Sequence, residues 1–401
     1  MSTEISTNQI QIINESGCWP TQSQELLLRA ALLNGRDALD AWAQWRRHVN
    51  IDVMDYGSHR MMPQLYRNMV RHGVEDPVFD RLKGVYRYYL YKNKILLNRV
   101  AQLIAAFEAA EIPTLALKGV ALIQCYYHDG ALRPMEDADV LVPTAKAFEA
   151  MTLMNDLGWK SKFFAQPESR IAIIHSTPFV NAENYQIDLH WHPFWEVFNG
   201  DEDSDYWQQA IPIKINDVAT LALNPTHELL HTCWHGARWN EVPPIRWVAD
   251  AMMILEANRE RIDWPTLVEK ARRHHISLPL RDALSYLKKL LDAPIPDSVV
   301  TELDAIPTTA LEQESYAVLV NPRLAPTTGK IIRLLYFDYL WLRSSTKSRS
   351  TFLTFAKFLQ AKWNLQQLWQ VPVYIPLRFV KRGFRDLFRR SETTLQNSPT
   401  P

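Results

Sequence analysis

The sequence predicts an α+β fold: a small mixed sheet with helices, set in an otherwise largely helical chain. Three observations predict it. Over much of the 401 residues apolar side chains recur every three to four positions, the spacing of a buried helix face. Between about 110 and 190 the pattern changes to short apolar runs and two-residue alternation, the spacing of strands. Breaks such as Asn34-Gly35, Gly130 to Pro134, Gly158-Trp159 and Pro294-Ile295-Pro296 separate the segments, as turn chemistry requires.

Residues 1–20 read as a disordered tail, and 21–94 as an N-terminal helical region. Leu26, Leu27, Ala30 and Ala31 form its first stripe, and Ala38, Trp42 and Trp45 resume it after Asn34-Gly35. A longer helical stretch runs from about Asp80 to Ala110. Residues 95–215 read as the α/β domain. Its elements are a strand over Ile112–Leu117 ended by Lys118-Gly119, a short helix over Val120–Tyr127, a strand over Ala138–Val142 and a helix from Pro143-Thr144 to Leu157. Further strands include Phe179 and Gln186–Trp191. Residues 216–390 read as a C-terminal helical region. Thr226 caps a helix over His227–Trp239, Pro243 opens one to Ala257, and Trp264-Pro265 and Ser277 open two more. Later helices cover Thr308–Val320, Lys330–Leu342 and Phe352–Trp369, and 391–401 form a second disordered tail.

Composition sets wider limits. A hydrophobic fraction of 47% and a charged fraction of 22% are those of a globular protein with a sizeable core. Lys plus Arg equals Asp plus Glu at 44 each, so overall charge carries no strong nucleic-acid signal. Three scattered cysteines without a CxxC pair argue against a disulfide framework. A polar start without an apolar leader, and no stretch of about 18 apolar residues, give the expectation of a cytoplasmic protein. The segment from Arg378 to Arg390 is basic and amphipathic. It reads as a solvated helix, with peripheral membrane or acidic-partner contact as the alternative.

The chemistry-bearing stretch is Leu117-Lys118-Gly119, then Arg133-Pro134-Met135-Glu136-Asp137-Ala138-Asp139. On a strand Asp137 and Asp139 project to one face. Two clustered carboxylates repel unless a cation lies between them. Magnesium takes a few carboxylates plus phosphate oxygens, and Asp188, alternating between Ile187 and Leu189, can supply a third acid. Gly119 lets backbone approach a phosphate, and Lys118 and Arg133 can neutralise its charge. Each piece alone also fits a turn, a cap or a solvated edge. Their order is what points to a site: strand, Lys-Gly, helix, Arg, Asp-x-Asp on a strand, then an isolated Asp on a later strand.

These segments, with Tyr126-Tyr127, Leu132-Arg133-Pro134-Met135, Ile187-Asp188-Leu189-His190-Trp191 and Arg246-Trp247-Val248-Ala249-Asp250, resemble the uncharacterised nucleotidyltransferase family of the polymerase-β-like superfamily. The resemblance covers about residues 90–260. It implies a nucleotidyltransferase-like sheet and transfer of a nucleoside monophosphate from an NTP to an acceptor hydroxyl, with Mg2+ or Mn2+ as cofactor. Asp137 and Asp139 would be the metal pair, Asp188 the third acid, and Lys118, Gly119 and Arg133 the nucleotide-binding residues. The acceptor is not legible. The chain departs from the superfamily in that Val120 follows Gly119 where a second Gly or a Ser is usual, and the gap to Asp137 is longer. Lys118 or Arg133 must then replace a missing hydroxyl contact. The alternative on the same fold is a catalytically inactive nucleotide-binding or scaffold protein.

A second metal-like pattern is His227-Glu228-Leu229-Leu230-His231, the arrangement that binds zinc in helix-borne hydrolases. His235 extends the stripe, and Asp250 is a candidate third ligand. No metzincin continuation follows, so a zinc-dependent hydrolase is the third reading. The plainer expectation is that each histidine bonds a neighbour inside a domain interface. The tryptophans near both motifs, among them Trp191, Trp234 and Trp247, are expected in the core.

Overall fold

The computed structural model describes residues 17–161, 171, 174–194, 200–238, 240, 243–321, 332–333, 335–336, 339, 352–363 and 365–376. The chain divides into two compact units, residues 1–165 with 175–324, and 166–174 with 325–401.

The first unit opens with α1 (Gln22–Leu32). Thr21 accepts from the Gln24 amide while the Gln24 side chain accepts from the Thr21 N–H, which closes two orphan donors of the first turn. Gly35, at φ +60°, makes the turn expected at Asn34-Gly35 and starts α2 (Gly35–His48). Of the predicted stripe, Leu27, Ala30, Ala31, Ala38, Trp42 and Trp45 are buried and Leu26 is half-buried. Next come α3 (Tyr56–His59), α4 (Met62–Arg71) and the 31-residue α5 (Phe79–Ala109). The expected tail is tied down from Gly17, which exchanges two backbone hydrogen bonds with Asn240.

Six strands form one mixed sheet: β1 (Leu115–Leu117), β2 (Asp137–Leu141), β3 (Ser176–Val180), β4 (Gln186–His190), β5 (Ile211–Ile215) and β6 (Val218–Ala222). Their order is β3-β4-β2-β1-β6-β5. β2 runs antiparallel to β1 and parallel to β4, with Asp139 opposite both Leu117 and Asp188. β1 starts later than expected because the Ile112 N–H donates to Phe107 and closes the end of α5 instead. The helix after β1 is α6 (Lys118–Leu122), which widens into a π-helical turn to Tyr127. α7 (Ala147–Asp156) and α8 (Gly200–Gln208) flank β3 and β4 in sequence. The β5–β6 hairpin, turned at Asn216 with φ +52°, has no counterpart in the sequence reading.

The helices after the sheet are α9 (Pro225–Gly236), α10 (Arg246–Ala257), α11 (Trp264–Arg273), α12 (Ser277–Leu291), α13 (Asp297–Asp304) and α14 (Ala310–Val320). α9 is capped by Asn224, whose side chain accepts from the His227 N–H, with Pro225 at the first helical position. The cap thus lies two residues before the expected Thr226. Residues 226–234 are all buried, so α9 is a core helix apolar or neutral on every face. A Cβ on Gly236 would collide with the Trp247 side chain, which fixes glycine where α9 meets α10.

In the second unit α15 (Phe352–Lys362) contributes Phe355, Phe358 and Leu359 to a small core with Tyr339 and Val371. The helix expected over Lys330–Leu342 lies mostly outside the described residues. The basic segment Arg378–Arg390, the tail 391–401 and the first 16 residues lie outside them entirely. Among the described residues no helix is long and apolar enough to cross a membrane, and none of the three cysteines forms a disulfide.

Candidate metal centre

The centre is built on register. Asp139 and Asp188 are Cα partners on parallel strands, so their side chains leave the sheet on one face. His190 lies two residues beyond Asp188 and shares that face. Asp139 is only 4% exposed. Its Oδ1 accepts from Lys118 Nζ at 2.6 Å and lies 2.9 Å from His190 Nε2. Lys118 reaches it by leaving β1 at φ +48°, a left-handed conformation that costs a lysine roughly 1 kcal/mol and that clusters at functional sites. Burial alone would raise the Asp139 pKa, but the Lys118 charge and the His190 hydrogen bond hold it far below the usual carboxylate range.

Asp188 is half-buried and accepts from Gln186 Nε2 at 2.9 Å. Burial and then the neighbouring Asp139 charge raise its pKa, with a smaller push from Asp137. Asp137 stands two residues before Asp139 on the same strand face, opposite Gln186. Ligand atoms of Asp139, Asp188 and His190 lie within 4.8 Å of one another, and this is the one such group of acid, His or Cys side chains among the described residues. The buried Nδ1 of His190 has no hydrogen-bond partner there. Two carboxylates and an imidazole this close suit one divalent cation. Asp137 is outside that group but near enough to add charge.

Arg133 and Gly119 do something other than face this centre. Arg133 is buried, and its Nε and Nη2 donate to the two oxygens of Asp250 at 3.1 and 2.9 Å. Tyr127 donates to the same carboxylate at 2.8 Å. The arginine expected at a triphosphate is therefore committed to a bidentate pair. Gly119 is dictated by packing, since a Cβ there would collide with Arg133 Nη1 and the Met135 side chain. The loop between Gly130 and Met135 is held from both sides. Asn93 of α5 donates to the Gly130 and Arg133 carbonyls and accepts from the Met135 N–H, and Arg246 of α10 donates to the Pro134 carbonyl. The approach to Asp137 is thereby fixed by helices on either side of the sheet in sequence.

The histidines of α9 do not converge. The His227 ring packs against Tyr206, with Nδ1 beside the Asn224 amide and Nε2 3.8 Å from Asp205. His231 Nε2 meets the Pro193 carbonyl at 3.1 Å, and its ring stacks on His235. Burial lowers the pKa of His227 to about 4 and of His231 to about 3. Glu228, between them, is fully buried, and neither carboxyl oxygen has a hydrogen-bond partner among the described residues. Burial, reinforced by the Asp250 charge, pushes its pKa up to about 8.

His190 is the residue the sequence reading missed. The alternation that singled out Asp188 also places His190 on its face, and the two-residue rule applied to Asp137 and Asp139 would have found it. In comparisons with known proteins, residues 56–292, more than half of the chain, match the family of uncharacterised nucleotidyltransferases. No curated protein matches the chain.

Proposed function

The chain belongs to the uncharacterised nucleotidyltransferase family, and from that premise we propose that it transfers a nucleoside monophosphate from an NTP to an acceptor hydroxyl, with divalent metal held by Asp137, Asp139 and Asp188. The observation that carries the reading is the register that sets Asp139 beside Asp188 on neighbouring parallel strands. Mg2+ or Mn2+ bound there would supply positive charge to the triphosphate and acidify the acceptor hydroxyl. The acceptor oxygen bonds to the α-phosphorus, the bond to pyrophosphate breaks, and Asp188 helps take up the acceptor proton. Lys118 would meet phosphate, a role supported by its reach to the face of the sheet where Asp139 lies. Arg133 serves by bracing the loop into β2. The inactive nucleotide-binding or scaffold reading is supported by that same commitment of Arg133 to Asp250, which leaves fewer cations for a triphosphate.

Thermal unfolding and pyrophosphate release test the two readings together. Mg2+ or Mn2+ with NTP raises the melting temperature of the wild-type chain, because a ligand of the folded state stabilises it. Replacing both Asp137 and Asp139 by Ala abolishes the rise while the metal-free protein still folds. A double variant that responds like wild type places the site elsewhere. Release of pyrophosphate with pooled hydroxyl acceptors supports transfer, and binding without release supports the inactive reading.

A further inference from the structure

The reading above leaves His190 without a part, although it lies at the centre of the cluster. We propose that His190 is itself a ligand of the metal, and that its nitrogen makes the site favour first-row transition ions such as Mn2+ over Mg2+. The inference deepens the metal-dependent reading and rests on it.

Position comes first. His190 is 1% exposed and follows Asp188 by two residues on β4, so both point to the face where Asp139 lies. Its Nε2 is 2.9 Å from Asp139 Oδ1. Two ligand atoms at right angles about one ion, each about 2.1 Å from it, are about 3 Å apart. The pair therefore already has the separation of two adjacent ligands, with Asp188 within 4.8 Å as the third.

The second observation concerns the other ring nitrogen. Buried polar atoms are almost always hydrogen-bonded, and a partner on Nδ1 would fix which face Nε2 presents, N–H or lone pair; without one, Nε2 is free to turn its lone pair to a cation. His190 Nδ1 is buried and has no hydrogen-bond partner among the described residues. The nearby His175 meets the ring edge-on at 5.2 Å between centroids, a ring contact that supplies no such bond.

Donor chemistry then sets the preference. Mg2+ is bound almost entirely through oxygen. Imidazole nitrogen raises affinity for first-row transition ions, and the carboxylates keep the site hard enough for phosphate oxygens. A site of three aspartates alone would lack that bias.

The test uses the full chain, stripped with chelator and titrated with Mn2+ while free Mn2+ is followed by electron paramagnetic resonance. Pulsed measurements on the bound ion then read nitrogen coupling. We expect coupling to one 14N nucleus in wild type, changed to 15N coupling when histidine is 15N-labelled. In His190→Gln, which keeps a donor toward Asp139, the coupling disappears. Mn2+ affinity falls by roughly tenfold or more, at least the loss known for weaker outer contacts of a metal site, while Mg2+ affinity, read by competition, stays within about twofold on the same reasoning. Bound Mn2+ without nitrogen coupling overturns the proposal and reduces His190 to a hydrogen-bond partner of Asp139. Coupling that survives in His190→Gln overturns it too. Mn2+ binding that is equally tight in Asp139→Asn removes the whole centre, and with it the reading of function, a result distinct from loss of nitrogen coupling alone.

Discussion

Two short stretches of this chain carry acids and histidines at metal-ligand spacing, and the fold gives their side chains different kinds of neighbour. Along β2 and β4, Asp139 has a lysine and a histidine on one oxygen and Asp188 alongside. Along α9, Glu228 has neither oxygen hydrogen-bonded among the described residues, and the two histidines flanking it turn to different partners. The difference lies in who chooses the neighbours. A parallel pair of strands puts side chains from distant segments in register on one face, so charges can be collected across the sheet. A core helix offers its residues only what happens to pack against it, and here Glu228 gets nearby charges without a hydrogen bond among the described residues. Same-face spacing on a helix is necessary for a metal site and far from sufficient.

That contrast predicts opposite responses to removing a buried acid. The largest effect is expected at Asp250, whose carboxylate holds Arg133 and Tyr127 inside the protein. Asp250→Ala leaves a guanidinium buried without its counter-charge, which costs about 3–5 kcal/mol, read as a loss of unfolding free energy in denaturant. Replacing Arg133 and Asp250 together by Met and Leu recovers most of it, because an apolar pair of similar volume is close to neutral. If the single variant is as stable as wild type, the pair does not brace the loop into β2.

At Glu228 the sign reverses. The folded carboxyl keeps its proton to about pH 8, whereas the unfolded one loses it near 4.5. Between those values the unfolded chain binds fewer protons, so stability falls as pH rises. The Glu228 contribution is fully present below about pH 4.5 and gone above about 8. Glu228→Gln removes this slope. Its stability relative to wild type should climb by up to about 1.4 kcal/mol per pH unit across the window, then level off. Parallel stability curves across that window would mean that Glu228 is ionised and partnered in the folded protein.

How much of this was legible follows the same division. Local rules found α1, α2 and α5 from their stripes, and the strand pairs around Asp139 and Asp188 from alternation. They missed β5 and β6 although Ile211, Ile213 and Ile215 alternate with Pro212 and Lys214, a pattern that an edge strand such as β5 accommodates. Arg133 and Gly119 looked like phosphate residues because Arg and Gly suit phosphate. Their real neighbours, Asp250 and Met135, are set by packing between α10 and the loop before β2, which no local pattern encodes. His190 was within reach of the alternation rule.

The smallest effect is expected at the α9 histidines, and it is a test of the comparison itself. If helical spacing were enough, His227 and His231 would hold zinc with Glu228 as base. His227 Nδ1 lies beside the Asn224 amide, its Nε2 has no hydrogen-bond partner among the described residues, and His231 Nε2 meets the Pro193 carbonyl, so no two of them share a ligand point. Burial keeps both rings neutral at pH 7, the form that binds metal, so protonation is not what prevents a site; geometry is. Protein purified without an affinity tag should therefore carry no zinc that depends on these residues. Metal content should be unchanged in His231→Ala, and chelator should leave the melting temperature of wild type unchanged apart from any contribution of the Asp139 centre, which Asp139→Asn isolates. About one zinc per chain that is lost in His231→Ala, with chelator destabilising the Asp139→Asn variant, would overturn the contrast, since a structural metal stabilises the fold that binds it. The helix would then have gathered ligands as the sheet does.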